Sequence, residues 1–508
     1  MAVSQAHIPA LLAEVPARHD PRSRALQFAG RWIAYGELHA AAQRAASLAW
    51  HAWGVRPGDR VAWLGANHPG QLALLFGLAR IGAVLLPLNF RLAFAEWQRL
   101  IADCGPRHLV HDGDWAQAGR DLAAQCGLAA HPVEALAEGA AAELSSQADA
   151  HAGAAVPLQA DVHSRAAVPL QADADAAVLL VHTSGTTGGP KAAVHTQANL
   201  LANMRIAAAV QELGPADTVL TVLPMFHVGG LCIQTLPALY AGARVVLQPR
   251  FHPGETLAAI ERERPTLTLL VPAAMKALVE HPAWGATDLS SLRAVWAGSS
   301  LLPAALVQAF HARGLPVCNV YGATETGPFS IALPPAQAMG HVGSCGWPAP
   351  EVEARLGPAI GDTAELLLRG PNVVRRYWPD LAACDAAGWF ATGDLAQQDA
   401  DGSWRIVGRA RELIITGGEN VHPAEVEEAL AQHPSVAECA AFALPDARWG
   451  EVVAVAVVGA GVDEATLVAH LQQRIARFKV PRRWFFVEQL PKTALGKVQR
   501  SLLAQRFA

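Results

Sequence analysis

Charge is scarce in this chain. Only 16% of its 508 residues are Asp, Glu, Lys or Arg, and 44 acidic against 39 basic residues leave a net charge of −5. Nucleic acids and anionic membranes attract proteins through a strong positive field, which this balance does not supply. The sequence therefore disfavours both as partners.

Cysteine is also sparse. The seven cysteines are widely scattered, odd in number, and none forms a Cys-x-x-Cys pair. Disulfide-stabilised domains and zinc sites usually show paired cysteines at short spacing. This distribution argues against a disulfide scaffold or a zinc site, and it favours a protein of the reducing cytoplasm.

No stretch of the sequence is typical of a membrane span. Residues 219–243 lack Asp, Glu, Lys and Arg, but they include Pro224, His227 and Pro237 and several glycines. A core strand, a loop and a helix suit this pattern better than a membrane helix. The N-terminus lacks the layout of a signal peptide, and the last residues are not a peroxisomal address, so we expect no targeting segment.

Strand-like and helix-like patterns alternate along much of the chain. Such alternation predicts an α/β fold with parallel sheets, and the length suggests about two to four folding units. We predict one α/β subdomain up to about residue 125 and a second from the loop at 183–191 to about residue 325. Predicted helices cover residues 70–80 and 93–103, and the predicted strands cover 60–65, 83–88, 176–181, 218–223, 244–247, 268–271 and 294–297.

The remainder of the chain changes in character. Residues 340–408 have frequent Gly and Pro and little helical periodicity, which predicts a β-rich subdomain. Beyond them, an amphipathic segment at 424–432, a helix capped by Asp463, and strands at 451–458 and 484–487 predict a small α+β domain. The expected organisation is an N-terminal domain (1–408), a hinge (409–412) and a mobile C-terminal domain (413–508).

An Ala-rich segment at about residues 126–177, which we predict to be a loop, contains a duplication. Residues 154–161 and 166–173 both read AAVPLQAD. A solenoid needs at least three repeats, so two copies do not predict one. We interpret the duplication as an insertion in a surface loop, where added residues cost little stability.

The most informative segment is Thr-Ser-Gly-Thr-Thr-Gly-Gly-Pro-Lys at residues 183–191, directly after a predicted buried strand. Its four hydroxyls, three glycines and one lysine suit a loop that wraps phosphate oxygens. It is not a Walker loop, because Pro190 precedes Lys191 and Ala192 follows it where Ser or Thr would hold magnesium. The segment predicts a nucleotide-binding loop of another kind.

Six further segments carry residues suited to binding a nucleotide, an acyl group or CoA. They are 225–230 (MFHVGG), 298–301 (GSSL), 321–325 (YGATE), 392–394 (TGD), 415–421 (ITGGENV) and 490–497 (LPKTALGK). Together with the loop at 183–191, they resemble the motifs of the adenylate-forming enzymes, which include acyl-CoA synthetases, non-ribosomal adenylation domains and luciferases. The resemblance extends over nearly the whole chain.

The resemblance assigns many residues to the nucleotide or to CoA. Tyr321 would stack on adenine, Thr324 would contact the α-phosphate, and Asp394 with Arg409 would bind the ribose. The positions implied for ATP or CoA are Thr183, Ser184, Gly185, Thr187, Gly188, Lys191, Gly298, Ser299, Ser300, Asn319, Tyr321, Gly322, Thr324, Asp394, Arg409, Gly417, Gly418, Trp449 and Phe478.

The same resemblance implies four catalytic residues. Glu325 and Thr186 would hold Mg²⁺, which prefers oxygen ligands. His227 would lie near the acyl carboxylate and the route of the thiol, and Lys497 would offset the repulsion between two reacting anions. A basic run is expected to seat the CoA phosphates: Arg474, Arg477, Lys479, Arg482 and Arg483.

Two positions depart from the family pattern. Ala192 stands where the family usually has Gly, and neither residue contributes a functional group. Arg411 and Glu412 occupy the pivot that usually carries Asp or Lys. Since Glu412 keeps the charge of Asp, we expect the domain rotation to be preserved.

These features predict an AMP-forming acid–CoA ligase that uses ATP, Mg²⁺ and CoA. Two alternatives stay open: an enzyme that loads a carrier protein, and a catalytically idle protein that binds ATP or acyl-AMP. The apolar wall around Val228 and Leu231 disfavours a dicarboxylate, and we favour a medium- or long-chain fatty acid over an aryl acid. The sequence leaves the subunit number open, a homodimer included.

Overall fold

The computed structural model of the protein describes most of the chain. The described residues are 11–138, 168, 170, 173–183, 191–298, 302–360, 363–416, 419–446, 449–461, 463–493 and 496–508. The duplicated AAVPLQAD segment lies almost entirely outside them. The loop predicted for residues 126–177 was wrong at its start, because Ala129–Pro132 is a strand and Ala135–Glu138 a short helix. Alanine is depleted in strands, so the Ala-rich composition hid the first of these elements.

The described residues contain 26 strands, numbered here in chain order. Their bounds are β1 Arg24–Phe28, β2 Arg31–Ala34, β3 Arg60–Leu64, β4 Val84–Leu88, β5 His108–His111, β6 Ala129–Pro132, β7 Ala177–Thr183, β8 Lys191–Thr196, β9 Thr218–Thr221, β10 Arg244–Leu247, β11 Leu267–Leu270, β12 Ala294–Gly298, β13 Val317–Tyr321, β14 Ile331–Ala332, β15 Trp347–Pro348, β16 Glu353–Ile360, β17 Thr363–Arg369, β18 Arg376–Tyr377, β19 Leu381–Ala382, β20 Phe390–Gln398, β21 Trp404–Arg409, β22 Ile414–Thr416, β23 Glu419–Val421, β24 Val436–Asp446, β25 Gly450–Gly459 and β26 Arg483–Phe486.

Helices connect and cover these strands. The α-helices of the described residues are Tyr35–Ser47, Pro69–Arg80, Phe94–Cys104, Ala116–Cys126, Ala135–Glu138, Gln197–Val210, Val228–Gly230, Leu236–Ala241, Pro253–Glu263, Pro272–Val279, Ala304–His311, Pro335–Ala338, Pro423–Ala431, Glu464–Gln472 and Arg500–Phe507.

The first large sheet has the order β19-β18-β8-β7-β4-β3-β5-β6. Its centre is parallel: Val61 of β3 lies opposite Leu85 of β4 and His108 of β5. Strands β3 and β4 are almost wholly buried, as expected for a parallel sheet covered by helices on both faces. The strands predicted at residues 60–65, 83–88 and 176–181 are confirmed.

The second large sheet has the order β15-β14-β13-β12-β11-β9-β10-β1-β2. Its parallel strands confirm the four strands predicted between residues 218 and 297. The two sheets do not correspond to the two subdomains predicted from the sequence, however. Strand β1 pairs with β10 in the second sheet, whereas β7 and β8, on either side of the loop at 183–191, belong to the first. Local patterns do not reveal such distant pairing.

Two smaller sheets complete the fold. The order β16-β17-β20-β21 is antiparallel throughout and confirms the β-rich region predicted for residues 340–408. The C-terminal sheet, β23-β22-β25-β24 with β26 beside β25, packs against two helices through Val426, Leu430, Leu467 and Leu471. Asp463 caps the second of these helices, because its Oδ1 accepts a hydrogen bond of 2.8 Å from the Thr466 amide.

The uncharged segment 219–243 lies in the protein core. It forms β9, the short helix Val228–Gly230, a π-helical turn at Leu231–Thr235 and the helix Leu236–Ala241. Among the described residues, no helix is both long and apolar enough to cross a membrane.

Candidate active site

Asp394 joins the second large sheet to the β-rich sheet. The Tyr321 hydroxyl at the end of β13 donates a hydrogen bond of 2.7 Å to Asp394 Oδ2. Arg409 Nε lies 3.1 Å from Asp394 Oδ1, and the two residues are directly opposed on β20 and β21. Burial and the nearby Asp394 raise the pKa of Tyr321, so its hydroxyl remains a donor. A carboxylate has about four acceptor positions, so this one can still accept hydroxyl groups of a ligand.

Glu325 lies in the 3-10 turn Thr324–Thr326, which also carries the half-buried Thr324. Its carboxylate accepts a hydrogen bond of 2.9 Å from the Tyr377 hydroxyl. Burial raises the pKa of Glu325, although the hydrogen bond from Tyr377 and the charge of Arg409 oppose this shift. Mg²⁺ would further favour the ionised form, so a half-buried carboxylate of this kind fits a cation site.

Tyr377 was not identified from the sequence. Its strand, β18, pairs with β8 at Ala193, and this pairing brings the ring to 5.4 Å from Lys191 Nζ. Tyr377 therefore contacts both the lysine of the phosphate loop and the candidate metal ligand Glu325. No local sequence signal marks this residue, because strand β18 has only two residues and Tyr377 pairs with Ala193, 184 positions earlier.

The phosphate loop begins and ends on paired strands. Thr183, the last residue of β7, lies opposite Lys191, the first of β8, and the Thr183 hydroxyl donates a hydrogen bond of 3.3 Å to the Lys191 carbonyl. The structure therefore fixes both ends of the loop. The predicted contacts at Ser184, Gly185, Thr186, Thr187 and Gly188 lie outside the described residues.

Two predicted glycines occupy positions where no side chain fits. A Cβ on Gly298 would lie 2.4 Å from the Val320 carbonyl oxygen, and one on Gly322 would lie 1.6 Å from that of Pro328. The neighbouring Ser299 and Ser300 are outside the described residues. Asn319, on the same strand as Tyr321, donates hydrogen bonds to the Ser344 carbonyl at 3.2 Å and to Cys345 Sγ at 3.3 Å.

His227 lies half-buried at the start of the helix Val228–Gly230, with its ring against that of Phe226. Its Nε2 atom is buried and has no hydrogen-bond partner in the described part of the chain. Burial, then the charges of Lys497 and Arg91, lower the pKa of His227 to about 3. At neutral pH the ring is therefore uncharged and has a nitrogen available for a ligand.

Lys497 reaches the same region from the C-terminal domain. Its loop is closed by a hydrogen bond of 2.7 Å from the Thr493 amide to the Lys497 carbonyl. The side chain keeps an exposed surface, yet burial lowers the pKa of Lys497 and the charge of Arg409 lowers it further. Lys497 also acts electrostatically on His227, so it lies within electrostatic range of His227, Arg409 and Asp394.

The expected hinge is linked to the last helix. Residues Ala410–Glu412 form a 3-10 turn, and Glu412 Oε2 lies 3.0 Å from Arg500 Nη1. The Nη2 atom of Arg500 donates two hydrogen bonds of 2.8 Å to the carboxylate of Glu427. Sequence reasoning missed this connection because no helix was predicted at residues 500–507.

The predicted CoA residues lie apart from this cluster in the sequence but share one domain. Trp449 precedes Gly450, which pairs with Thr416, the residue before Gly417 and Gly418. Those two glycines lie outside the described residues. The Arg482 guanidinium stacks over the Trp449 ring at 4.5 Å, and Phe478 is exposed. Within the basic run, Lys479 forms an ion pair with Glu425, so it is not free for a phosphate in this arrangement.

Comparison with known proteins identifies the family. The model of the AMP-binding enzyme family matches residues 13–378, and that of the AMP-binding enzyme C-terminal domain matches residues 425–497. The chain belongs to the AMP-binding enzyme family. The predicted mixed α/β fold, with a large N-terminal and a small C-terminal domain, is confirmed by its structural relatives.

Several relatives match over nearly their whole length. An indoleacetate–CoA ligase of Aromatoleum aromaticum is 41% identical over 510 residues, with 96% of both chains covered. A feruloyl-CoA synthase of an Amycolatopsis species is 38% identical, with 97% of both covered. The crystal structure of ATP-bound MatB from Rhodopseudomonas palustris, 30% identical, has a TM-score of 0.86 and covers 98% of this chain and 99% of its own. This protein is thus an ATP-dependent acid–CoA ligase that forms AMP and uses ATP, Mg²⁺ and CoA.

Proposed function

We propose that this enzyme activates an aromatic carboxylic acid as its acyl adenylate and then transfers the acyl group to CoA. The observation that carries this proposal is the full-length similarity, at 41% and 38% identity, to ligases named for indoleacetate and ferulate, which both carry an aromatic ring. The fatty acid favoured by the sequence is not confirmed.

The segment that the sequence assigned to the acyl pocket is compatible with a flat, apolar ligand. Val228 and Leu231 are buried, and residues 219–243 contain no charged side chain. At Gly229, an added Cβ would meet nothing within 4 Å, so open space lies against the backbone. A planar ring can approach a glycine more closely than it can approach a branched side chain.

In the first half-reaction, the acid carboxylate attacks the α-phosphorus of ATP, and the bond to pyrophosphate breaks. We assign Lys497 to offset the repulsion between these anions, because it lies within electrostatic range of Asp394, Arg409 and His227. Mg²⁺, held by Glu325 and Thr186, would neutralise phosphate charge. Neutral His227 would donate or accept a hydrogen bond near the carboxylate without adding charge.

In the second half-reaction, the CoA thiol attacks the acyl carbonyl carbon, AMP leaves, and the thiol proton passes to solvent. We assign residues 409–412 as the hinge about which the C-terminal domain turns between the two steps. The segment that contains Gly417 and Gly418 would then face the acyl adenylate, with Trp449 beside the CoA nucleotide.

The test is a comparison of acids by ATP–pyrophosphate exchange and by CoA thioester formation. The panel contains indole-3-acetate, ferulate, phenylacetate and saturated fatty acids of eight to sixteen carbons. We expect the highest kcat/KM with a ring-bearing acid, AMP as the nucleotide product, and free CoA preferred over a carrier protein. A fatty acid that exceeds every aromatic acid would overturn the proposed substrate class while leaving the ligase reaction intact.

We propose two further expectations, one for the cellular location and one for the subunit number. A cytoplasmic location follows from the scattered cysteines, and cell fractionation would test it. A homodimer is one expected assembly, and light scattering on the purified enzyme would measure the subunit number.

A further inference from the structure

Three side chains converge near the end of β7, and none of them is among the residues assigned to ATP. Asp103 and Cys104 end the helix Phe94–Cys104, and His182 lies on β7, one residue before Thr183. Cys104 is almost completely buried, the His182 side chain is 10% exposed, and that of Asp103 is 48% exposed. The cluster is therefore enclosed by protein but open to solvent on the Asp103 side.

The three donor atoms form a nearly regular triangle. Cys104 Sγ lies 3.7 Å from His182 Nε2 and 3.9 Å from Asp103 Oδ2, and His182 Nε2 lies 3.7 Å from the same Oδ2. A hydrogen bond between imidazole and carboxylate is normally about 2.7–3.2 Å long, so the His182–Asp103 spacing is too wide for one. The two contacts of the Cys104 thiol are long, weak hydrogen bonds, so the three donor atoms surround a common centre.

The spacing matches the edges of a metal coordination polyhedron. A tetrahedral Zn²⁺ ion with bonds of about 2.3 Å to sulfur and about 2.0–2.2 Å to nitrogen and oxygen places its ligand atoms about 3.4–3.6 Å apart. The observed triangle would need to contract by only a few tenths of an ångström. Thiolate, carboxylate and neutral imidazole would together balance the charge of a divalent cation.

The histidine ring is largely enclosed and weakly bonded. Its Nε2 atom shares a long hydrogen bond of 3.7 Å with Cys104 Sγ and lies 3.7 Å from Asp103 Oδ2, and its Nδ1 atom is buried without a hydrogen-bond partner in the described part of the chain. Because weakly bonded polar groups are costly to bury, Nε2 would gain by exchanging the sulfur contact for a metal ion. The neighbouring cation, Arg60, is held by backbone carbonyls: Nε donates to that of Cys104 at 2.7 Å and Nη2 to that of Gly105 at 2.9 Å.

We propose that Asp103, Cys104 and His182 bind a divalent transition-metal ion of the Zn²⁺ type, with water completing the coordination on the exposed Asp103 side. The Cys104 thiol proton passes to solvent when the ion binds. Because the ligands come from positions almost 80 residues apart, and only one is a cysteine, the sequence spacing gave no sign of this site.

The site is placed to affect ATP binding. His182 adjoins Thr183, which anchors the phosphate loop, and the Asp103 carbonyl accepts a hydrogen bond of 3.0 Å from Trp378 Nε1. Trp378 follows Tyr377, the residue that contacts Lys191 and Glu325. A bound ion would therefore fix the base of the phosphate loop relative to β18, and we expect it to change the KM for ATP more than the KM for the acid.

The direct test is cobalt binding to the full-length, chelator-stripped enzyme. Co²⁺ bound by a cysteine gives a thiolate charge-transfer absorption in the near ultraviolet and visible bands typical of a tetrahedral site. We expect one equivalent of Co²⁺ to produce both, and one equivalent of Zn²⁺ to abolish them. Absence of a thiolate band at one equivalent would overturn the proposal.

Matched variants identify the ligands. Cys104→Ser should remove the charge-transfer band, and Asp103→Asn, at a half-exposed position, should weaken Co²⁺ binding by about 10–100-fold or more. Cys126→Ser changes a half-buried cysteine on the next helix and should leave the spectrum unchanged. If Cys104→Ser does not fold, Asp103→Asn alone decides. If Asp103→Asn binds Co²⁺ with the same affinity as the unmodified enzyme, the three residues form a polar cluster only.

Discussion

Asp394 and Arg409 face each other across two antiparallel strands, with Arg409 Nε 3.1 Å from Asp394 Oδ1. This pairing holds the carboxylate in one orientation, where Tyr321 also bonds to it. We expect Asp394→Asn to lower kcat/KM for ATP by about tenfold or more, because an amide is a weaker acceptor for hydroxyl groups than a carboxylate. Pyrophosphate exchange at varied ATP concentration measures this effect.

A matched control lies beside the same strands. Asp399, directly after β20, forms a comparable ion pair with Arg405, with Nη2 3.1 Å from Oδ2 and both side chains partly exposed. Asp399→Asn should leave the KM for ATP within about twofold of the original value, since exposed ion pairs contribute little. If both substitutions weaken ATP binding equally, Asp394 supports the sheet and does not bind the nucleotide.

Removal of Lys497 should separate the two half-reactions. We expect Lys497→Ala to slow adenylate formation by about 10²–10³-fold, as does the loss of one group that stabilises a transition state electrostatically. Transfer to CoA from supplied acyl adenylate should persist. Lys492→Ala is the control, because Lys492 lies in the same loop but pairs with Glu438 at 2.6 Å. Equal loss in both half-reactions would exclude the assigned role.

The pKa of Lys497 predicts an alkaline limit for adenylation. Burial, and then Arg409, lower the pKa of this lysine below its usual value of 10.5. The ammonium form is the active one, so the rate should fall as the pH rises through this lowered pKa. In Lys497→Arg the side chain stays charged, and the fall should move to higher pH. A pH profile of pyrophosphate exchange that is identical in both enzymes would assign the limit to another group.

Tyr377 should control the affinity for magnesium. Its hydroxyl donates to Glu325, and loss of a hydrogen bond to a charged group typically costs about 1.5–3 kcal/mol. Tyr377→Phe keeps the ring beside Lys191 but raises the pKa of Glu325 further. We expect about a tenfold increase in the Mg²⁺ concentration for half-maximal exchange, with no change for Tyr240→Phe, whose ring stacks with Arg18. An unchanged Mg²⁺ requirement would argue that Glu325 does not bind the cation.

Sequence alone predicted the parts of this enzyme that local patterns encode. Buried strands such as Arg60–Leu64 are continuous apolar runs, and the motif residues Tyr321 and Glu325 lie next to such a strand. Strand β24 was missed because four of its eleven residues are alanine, which is uncommon in strands, and both of its faces are packed. Tyr377 was missed because only the long-range pairing of β18 with β8 brings it to the site, and the Glu412–Arg500 pair was missed because no helix was predicted at residues 500–507.

Two adjacent glycines offer a test of the acid pocket. An added Cβ meets nothing within 4 Å at Gly229, whereas at Gly230 it would lie 2.4 Å from the carbonyl oxygens of Leu223 and Pro224. We therefore expect Gly229→Leu to fold with a nearly unchanged Tm and to fill the space assigned to the aromatic ring.

The expected signature is a change in selectivity. Steric exclusion should lower kcat/KM for indole-3-acetate by about tenfold or more relative to a small acid such as propionate. Gly230→Ala should instead lower the Tm and reduce the activity with all acids alike, because the backbone itself must move. If Gly229→Leu reduces kcat/KM by the same factor for every acid, the open space beside Gly229 is not the acid site. The ring must then bind against another wall of the enzyme.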